Sequence, residues 1–122
     1  MSKAGFRLTA LGDGRALMEP GFGVNPGDPG RVIDAVLERL VSQHIRTLYY
    51  DLAAVEIIDS TYLGYLNRLA RACRTVGVEM VCIHLRPATA FALAGLLSAP
   101  PEFSTSRGIE AEPRCPTSTG SS

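Results

Sequence analysis

The sequence predicts an α/β fold: one mixed, mostly parallel sheet with an N-terminal hairpin and helices packed on it. Three observations carry this reading. Two short strand-like segments flank Gly12-Asp13-Gly14, which is turn chemistry. Beyond them, three segments of helical apolar spacing alternate with compact runs that suit strands. The links are short, so successive strands lie parallel with right-handed crossovers, and only the opening hairpin is antiparallel.

In "FRLTAL" apolar and polar residues alternate, and "RALMEP" resumes strand character after the turn. "GFGVNPGDPG" is a Gly- and Pro-rich loop, and its Gly-x-Gly is better explained by φ > 0 than by a phosphate cradle. Asp28 then reads as an N-cap acid before Pro29 at the first helical position. A helix is expected from Pro29 to Gln43, with Ile33, Val36, Leu37, Leu40 and Val41 inward and Asp34, Glu38 and Arg39 wet. "TLYYDL" is the next strand.

A second helix follows "IIDS", with Leu63, Leu66, Leu69, Ala70, Cys73 and Val76 as its core face and Gly77 as its stop. "VEMVCIHL" reads as a strand buried on both faces. Pro87 opens a third helix, "ATAFALAGLL", apolar almost all round, which is either well covered or laid against a partner. Residues 103–109 hold at most a short edge strand. Residues 1–110 thus form one domain, and 111–122 read as a disordered Ser/Thr-rich tail.

Composition excludes several functions. With 122 residues there is room for one core. Twelve basic and twelve acidic residues give zero formal charge, which argues against a nucleic-acid partner. No apolar run reaches the ~20 residues that cross a bilayer, and no signal peptide is visible, so a cytoplasmic location without membrane insertion is expected. Cys73, Cys82 and Cys115 form no CxxC pair, and His44 and His84 lack ligand spacing. Neither metal nor cofactor is expected.

Catalysis finds no constellation either. Ser60 lies in Asp-Ser-Thr-Tyr, without the glycines of a nucleophile elbow, and neither histidine is placed for a relay. Asp51 ends a central strand, but Lys3 is the only lysine, which leaves a phospho-receiver site incomplete. The expectation is a protein that is not an enzyme.

Ser60 supports two readings. As a neighbour of Asp59 before an apolar-periodic segment, it suits a helix N-cap. A hydroxyl at the carboxyl end of a parallel strand, facing the positive end of a helix, also suits a phosphate. Tyr62, Tyr65 and Arg68 are placed away from the core stripe, and Arg68, Arg71 and Arg74 form either a partner ridge or a solvated face.

From about Phe6 to Leu97 the chain resembles STAS domains, the sulfate-transporter and anti-sigma-factor-antagonist family. "LYYDLAAVEIIDSTYLG" is similar to the family's strand, loop and Asp-Ser-[Ser/Thr]-x-Leu-Gly turn. "RACRTVGVEMVCIHLRPATAFAL" is similar to its helix, Gly turn, strand and Arg-Pro-led helix. The resemblance implies a STAS-like sandwich and a regulatory binding protein switched by phosphorylation of Ser60, with Thr61 the lesser candidate. Its implied partners are a serine protein kinase/anti-sigma factor and a metal-dependent serine phosphatase, met through Asp59, Ser60, Thr61, Tyr62, Tyr65 and Arg68. "LRPATAFAL" also resembles small stressosome scaffold members, which implies the alternative of a structural subunit in a stressosome-like or transporter-associated complex, as a homodimer or larger assembly. The chain departs from the family in two places. Tyr62 stands where glycine is usual, as a partner anchor or a half-buried aromatic, and a polar tail replaces the last helix.

Overall fold

The computed structural model describes residues 6–21, 24–55, 57–96, 100–106 and 108. Strands β1 (Phe6–Gly12) and β2 (Arg15–Pro20) form the expected antiparallel hairpin. Its turn places Gly12, Asp13 and Gly14 all at positive φ, which explains the two glycines. The Gly14 carbonyl accepts the N–H groups of both Arg46 and Thr47, fastening the turn to the next strand.

Helix α1 (Pro29–Ser42), strand β3 (Thr47–Asp51), helix α2 (Ser60–Thr75), strand β4 (Glu79–Ile83), helix α3 (Pro87–Leu96) and strand β5 (Ser104–Ser106) follow in order. The five strands lie side by side in chain order, and every pairing after the hairpin is parallel. Crossovers of one hand between successive neighbours lay the helices on the same face of the sheet. That face holds the core: Leu8, Met18, Leu48, Tyr50, Met80 and Cys82 from the strands meet Val36, Leu40, Leu66, Leu69 and Cys73 from the helices. The expected fold class stands.

Details of facing differ from the sequence reading. In α1 the buried stripe is Pro29, Val32, Ile33, Val36 and Leu40, whereas Val41 is 54% exposed. One residue past Leu40 is a further ~100° round the helix, which carries Val41 off the stripe. Val76 is also exposed, because α2 ends at Thr75. On the face of β4 away from the helices, Glu79 is exposed, Val81 half-buried and Ile83 fully buried, so burial on both faces holds only at the strand's carboxyl end.

Asp28 is the N-cap of α1 but its side chain makes no capping bond. The α2 stop is as expected: Gly77 at φ 78 donates to the Arg74 carbonyl and Val78 to that of Cys73, a Schellman arrangement. Helix α3 is not well covered among the described residues. Thr89 and Leu93 are buried, while Phe91 is 85% exposed. Cys73 and Cys82 are buried free thiols; Cys115 and the expected tail lie outside the described residues. Among the described residues no helix is long and apolar enough to cross a membrane.

Candidate functional site

The loop from β3 to α2 leaves the carboxyl end of a central parallel strand, the edge where open α/β sheets place their sites. Ile58 drops into the core, and the next residue turns the chain into the helix. Asp59 adopts an extended backbone, φ −100 and ψ −174, and its Oδ1 accepts the Tyr62 N–H at 2.9 Å. Asp59 is therefore the cap. Ser60 is the first helical residue, and its exposed hydroxyl has no hydrogen-bond partner among the described residues. Two strong cap formers stand side by side in the sequence, and a register difference of one residue decides between them.

With Tyr62 N–H taken by the cap and Leu63 N–H donating to the Asp59 carbonyl at 2.9 Å, the helical ladder begins. The amides of Ser60 and Thr61 precede it and have no acceptor among the described residues, at the positive end of a 16-residue helix. Thr61 is exposed beside Ser60. We expect Asp59→Ala to cost about 1 kcal/mol in urea unfolding. Ser60→Ala should change stability by less than about 0.5 kcal/mol, since no bond is lost.

Behind the turn lies a group of three phenols. The Tyr50 hydroxyl, from the carboxyl end of β3, donates to the Tyr65 hydroxyl at 3.0 Å. It lies 2.7 Å from the Tyr62 hydroxyl, so with its own proton committed it accepts that of Tyr62. The Tyr62 and Tyr65 rings meet edge to face at 5.3 Å, and those of Tyr50 and Tyr65 at 6.0 Å. Burial pushes the Tyr50 and Tyr65 phenols far above their ordinary range and raises Tyr62 as well. Burial likewise raises the Cys82 thiol and lifts that of Cys73 to about 12, which makes both inert at neutral pH.

Tyr65 corrects an expectation. It was placed on the outer side of α2 as a partner contact, but it is 1% exposed and belongs to the core. Tyr62 also packs against that core and is half-buried. Arg68 is exposed. The remainder of the basic ridge is neutralised in part: Arg71 and Arg74 both pair with the single Glu102, Arg71 at 3.7 Å.

Two ties at this edge are new relative to the sequence reading. Asp51 Oδ1 accepts the Ala53 N–H at 2.8 Å and pairs with His84 Nδ1 at 2.9 Å. Arg86 donates to the Ala53 carbonyl at 2.8 Å. The β3–α2 loop is thus bound to the β4–α3 link at its start, and to the sheet through the phenols at its end. Exposed Ile57 projects between the two anchorages.

A cleft of about 280 Å³ lies at the other end of α2, among Arg74, Gly77, Val78, Glu79 and Glu102. Sixteen helical residues span about 24 Å, so it is separate from Ser60. Among the described residues, no group of three or more His, Cys, Asp or Glu side chains is gathered to hold a metal.

Comparison with known proteins agrees with this geometry. No curated protein sequence matches the chain. Among solved structures, a serine-to-glutamate variant of RsbS from Moorella thermoacetica is 15% identical, with a TM-score of 0.66 over 85% of this chain and 87% of that one. A chain from a structure titled as the molecular architecture of the stressosome, a signal integration and transduction hub, is 17% identical. Its TM-score is 0.67, over 81% of this chain and 85% of that one. The NMR structure of TM1081 is 15% identical and gives 0.58 over 79% and 76%. At these identities the likeness is one of fold. The family description "STAS domain" matches residues 30–108, which run from the start of α1 through β5 and include the whole Ser60 turn. The chain belongs to the STAS domain family.

Proposed function

We propose that this protein is a phosphorylation-controlled regulatory binding module, with Ser60 the phosphoacceptor. One observation carries the reading: Asp59 performs the capping, and the exposed Ser60 hydroxyl has no hydrogen-bond partner among the described residues, at the helix N-terminus. A phosphate there would add about −1.5 to −2 charges beside amides that receive it favourably. It would also stand next to the Asp59 carboxylate, so a partner that fits the neutral turn meets a strongly anionic one. Thr61 is the secondary acceptor. Family membership supports a role in partner switching, with a serine kinase/anti-sigma factor as the partner released and a metal-dependent serine phosphatase as the resetting enzyme. The chain itself is then a substrate of that kinase and phosphatase and performs no chemistry. This role belongs in the cytoplasm.

The test is binding to the partner kinase, measured by calorimetry for the parent, Ser60→Ala and Ser60→Asp. Ser60→Ala is expected to bind like the parent, and Ser60→Asp about tenfold weaker, a change of roughly 1.4 kcal/mol. Equal affinities for all three would remove the switch.

A structural role in a larger assembly is the second reading, and α3 favours it. That helix has no charged residue, and Phe91 is 85% exposed on it. Light scattering separates the two: a monomer or dimer fits the switch, and a large homo-assembly fits the scaffold.

A further inference from the structure

The turn that carries Ser60 is tethered to the sheet through a side chain whose role the family resemblance does not supply. Tyr62 stands two residues after Ser60, where glycine is usual in the family. It is held at both ends. Its N–H donates to Asp59 Oδ1 at 2.9 Å, and its hydroxyl lies 2.7 Å from that of fully buried Tyr50. Between those bonds the ring rests edge to face on Tyr65 at 5.3 Å. Tyr50 in turn sits in β3, paired with Met18 of β2 and Cys82 of β4. The first turn of α2 is therefore connected, through two hydroxyls, to the middle of the sheet.

Helix ends fray because their first amides lack helical partners. A glycine at this position would leave the turn held by its cap alone. Here, unwinding the turn requires Tyr62 to withdraw its hydroxyl from a buried acceptor and its ring from Tyr65. We infer that Tyr62 is a positioning residue for Ser60: its phenol tether keeps the first turn wound, so that the hydroxyl is offered from a fixed backbone. The inference rests on Ser60 being the phosphoacceptor. It also assigns the Tyr62 hydroxyl an inward function, leaving only the outer part of the ring for a partner.

The experiment compares the parent with Tyr62→Phe, which keeps the ring and removes the hydroxyl. Amide exchange followed by NMR is expected to quicken about three- to tenfold at Tyr62 and Leu63, whose N–H groups are bonded to Asp59, the effect of one lost hydrogen bond. Rates at Leu69 to Cys73 should stay at parent values, which separates a local release from general destabilisation. In a Tyr50→Phe background, which already lacks the acceptor, Tyr62→Phe should add nothing. Incubated with the partner serine kinase and ATP, Tyr62→Phe should show a raised KM with kcat unchanged, by less than the exchange factor, since KM rises only as far as the wound fraction of the substrate falls. Equal exchange in parent and Tyr62→Phe, with Ser60 phosphorylated in both, would overturn the tether alone. No phosphate on Ser60 of the parent would overturn the reading of the site, and the positioning role with it.

Discussion

Replacing Tyr50 by alanine is expected to remove about 3–5 kcal/mol of stability, the range for deleting a large buried aromatic. Tyr50 is fully buried near the carboxyl end of the central strand, in one core with Leu48, Met18 and the inner face of α2. The truncation opens a cavity there and also strips the phenols of Tyr62 and Tyr65 of their shared partner. Tyr50→Phe isolates the second effect. It keeps the ring and should cost about 1–3 kcal/mol, because Tyr65 is buried and cannot turn to water. Urea unfolding of both variants measures the two numbers. Equal stability of Tyr50→Phe and the parent would mean that the hydroxyl network contributes nothing.

The second large effect is alkaline unfolding. Tyr50 and Tyr65 are raised from 10.0, and Cys73 and Cys82 from 9.0, in each case chiefly by burial. An acid whose pKa is raised by folding leaves stability intact below its unfolded pKa, where both states hold the proton. Above that value the unfolded chain loses the proton and the native one does not, so stability falls as pH rises towards the folded pKa. Each such group contributes about 1.4 kcal/mol per pH unit. The two thiols therefore begin the loss near pH 9, and the two phenols roughly double its slope above pH 10. A domain stable by about 5–15 kcal/mol should unfold between roughly pH 10 and 12. Phenolate absorbance and the helical circular dichroism signal are expected to change together in one step. Full phenolate absorbance near pH 10 with helicity intact would contradict the burial of these groups.

Much of this architecture was legible in the sequence because it depends on local rules. The Gly-Asp-Gly turn, Pro29, the apolar period of α1 and the Gly77 stop each act within a few residues. The phenol group was legible too, and was misread. Tyr62, Leu66, Leu69 and Cys73 follow the i, i+4, i+7, i+11 spacing of one helix face, which places Tyr62 on the stripe it had been excluded from. Tyr65 precedes Leu69 by four residues and follows Tyr62 by three, so it flanks the same stripe. The polar tips of both rings meet a third phenol, that of Tyr50.

Other features depend on the register between distant segments. Asp51 and His84 meet because Asp51 pairs with Ile83 across β3 and β4. Arg71 and Arg74 lose their ridge because the segment before β5 returns Glu102 to them. Neither follows from composition or periodicity. The Ser60 turn lies between these cases. Its strand–loop–helix context was plain, but which of two adjacent residues would cap the helix required the backbone itself, and that choice leaves the serine hydroxyl without a bond among the described residues.

The most direct test of the account is to isolate the protein from its own cells and map phosphate on the tryptic peptide from Thr47 to Arg68 by mass spectrometry. That peptide holds Ser60 and Thr61 together with all four tyrosines. The account requires a fraction of the peptide to carry one phosphoryl group, with fragment ions placing it on Ser60. A peptide free of phosphate throughout growth and stress, or one modified only on a residue other than Ser60, would contradict it.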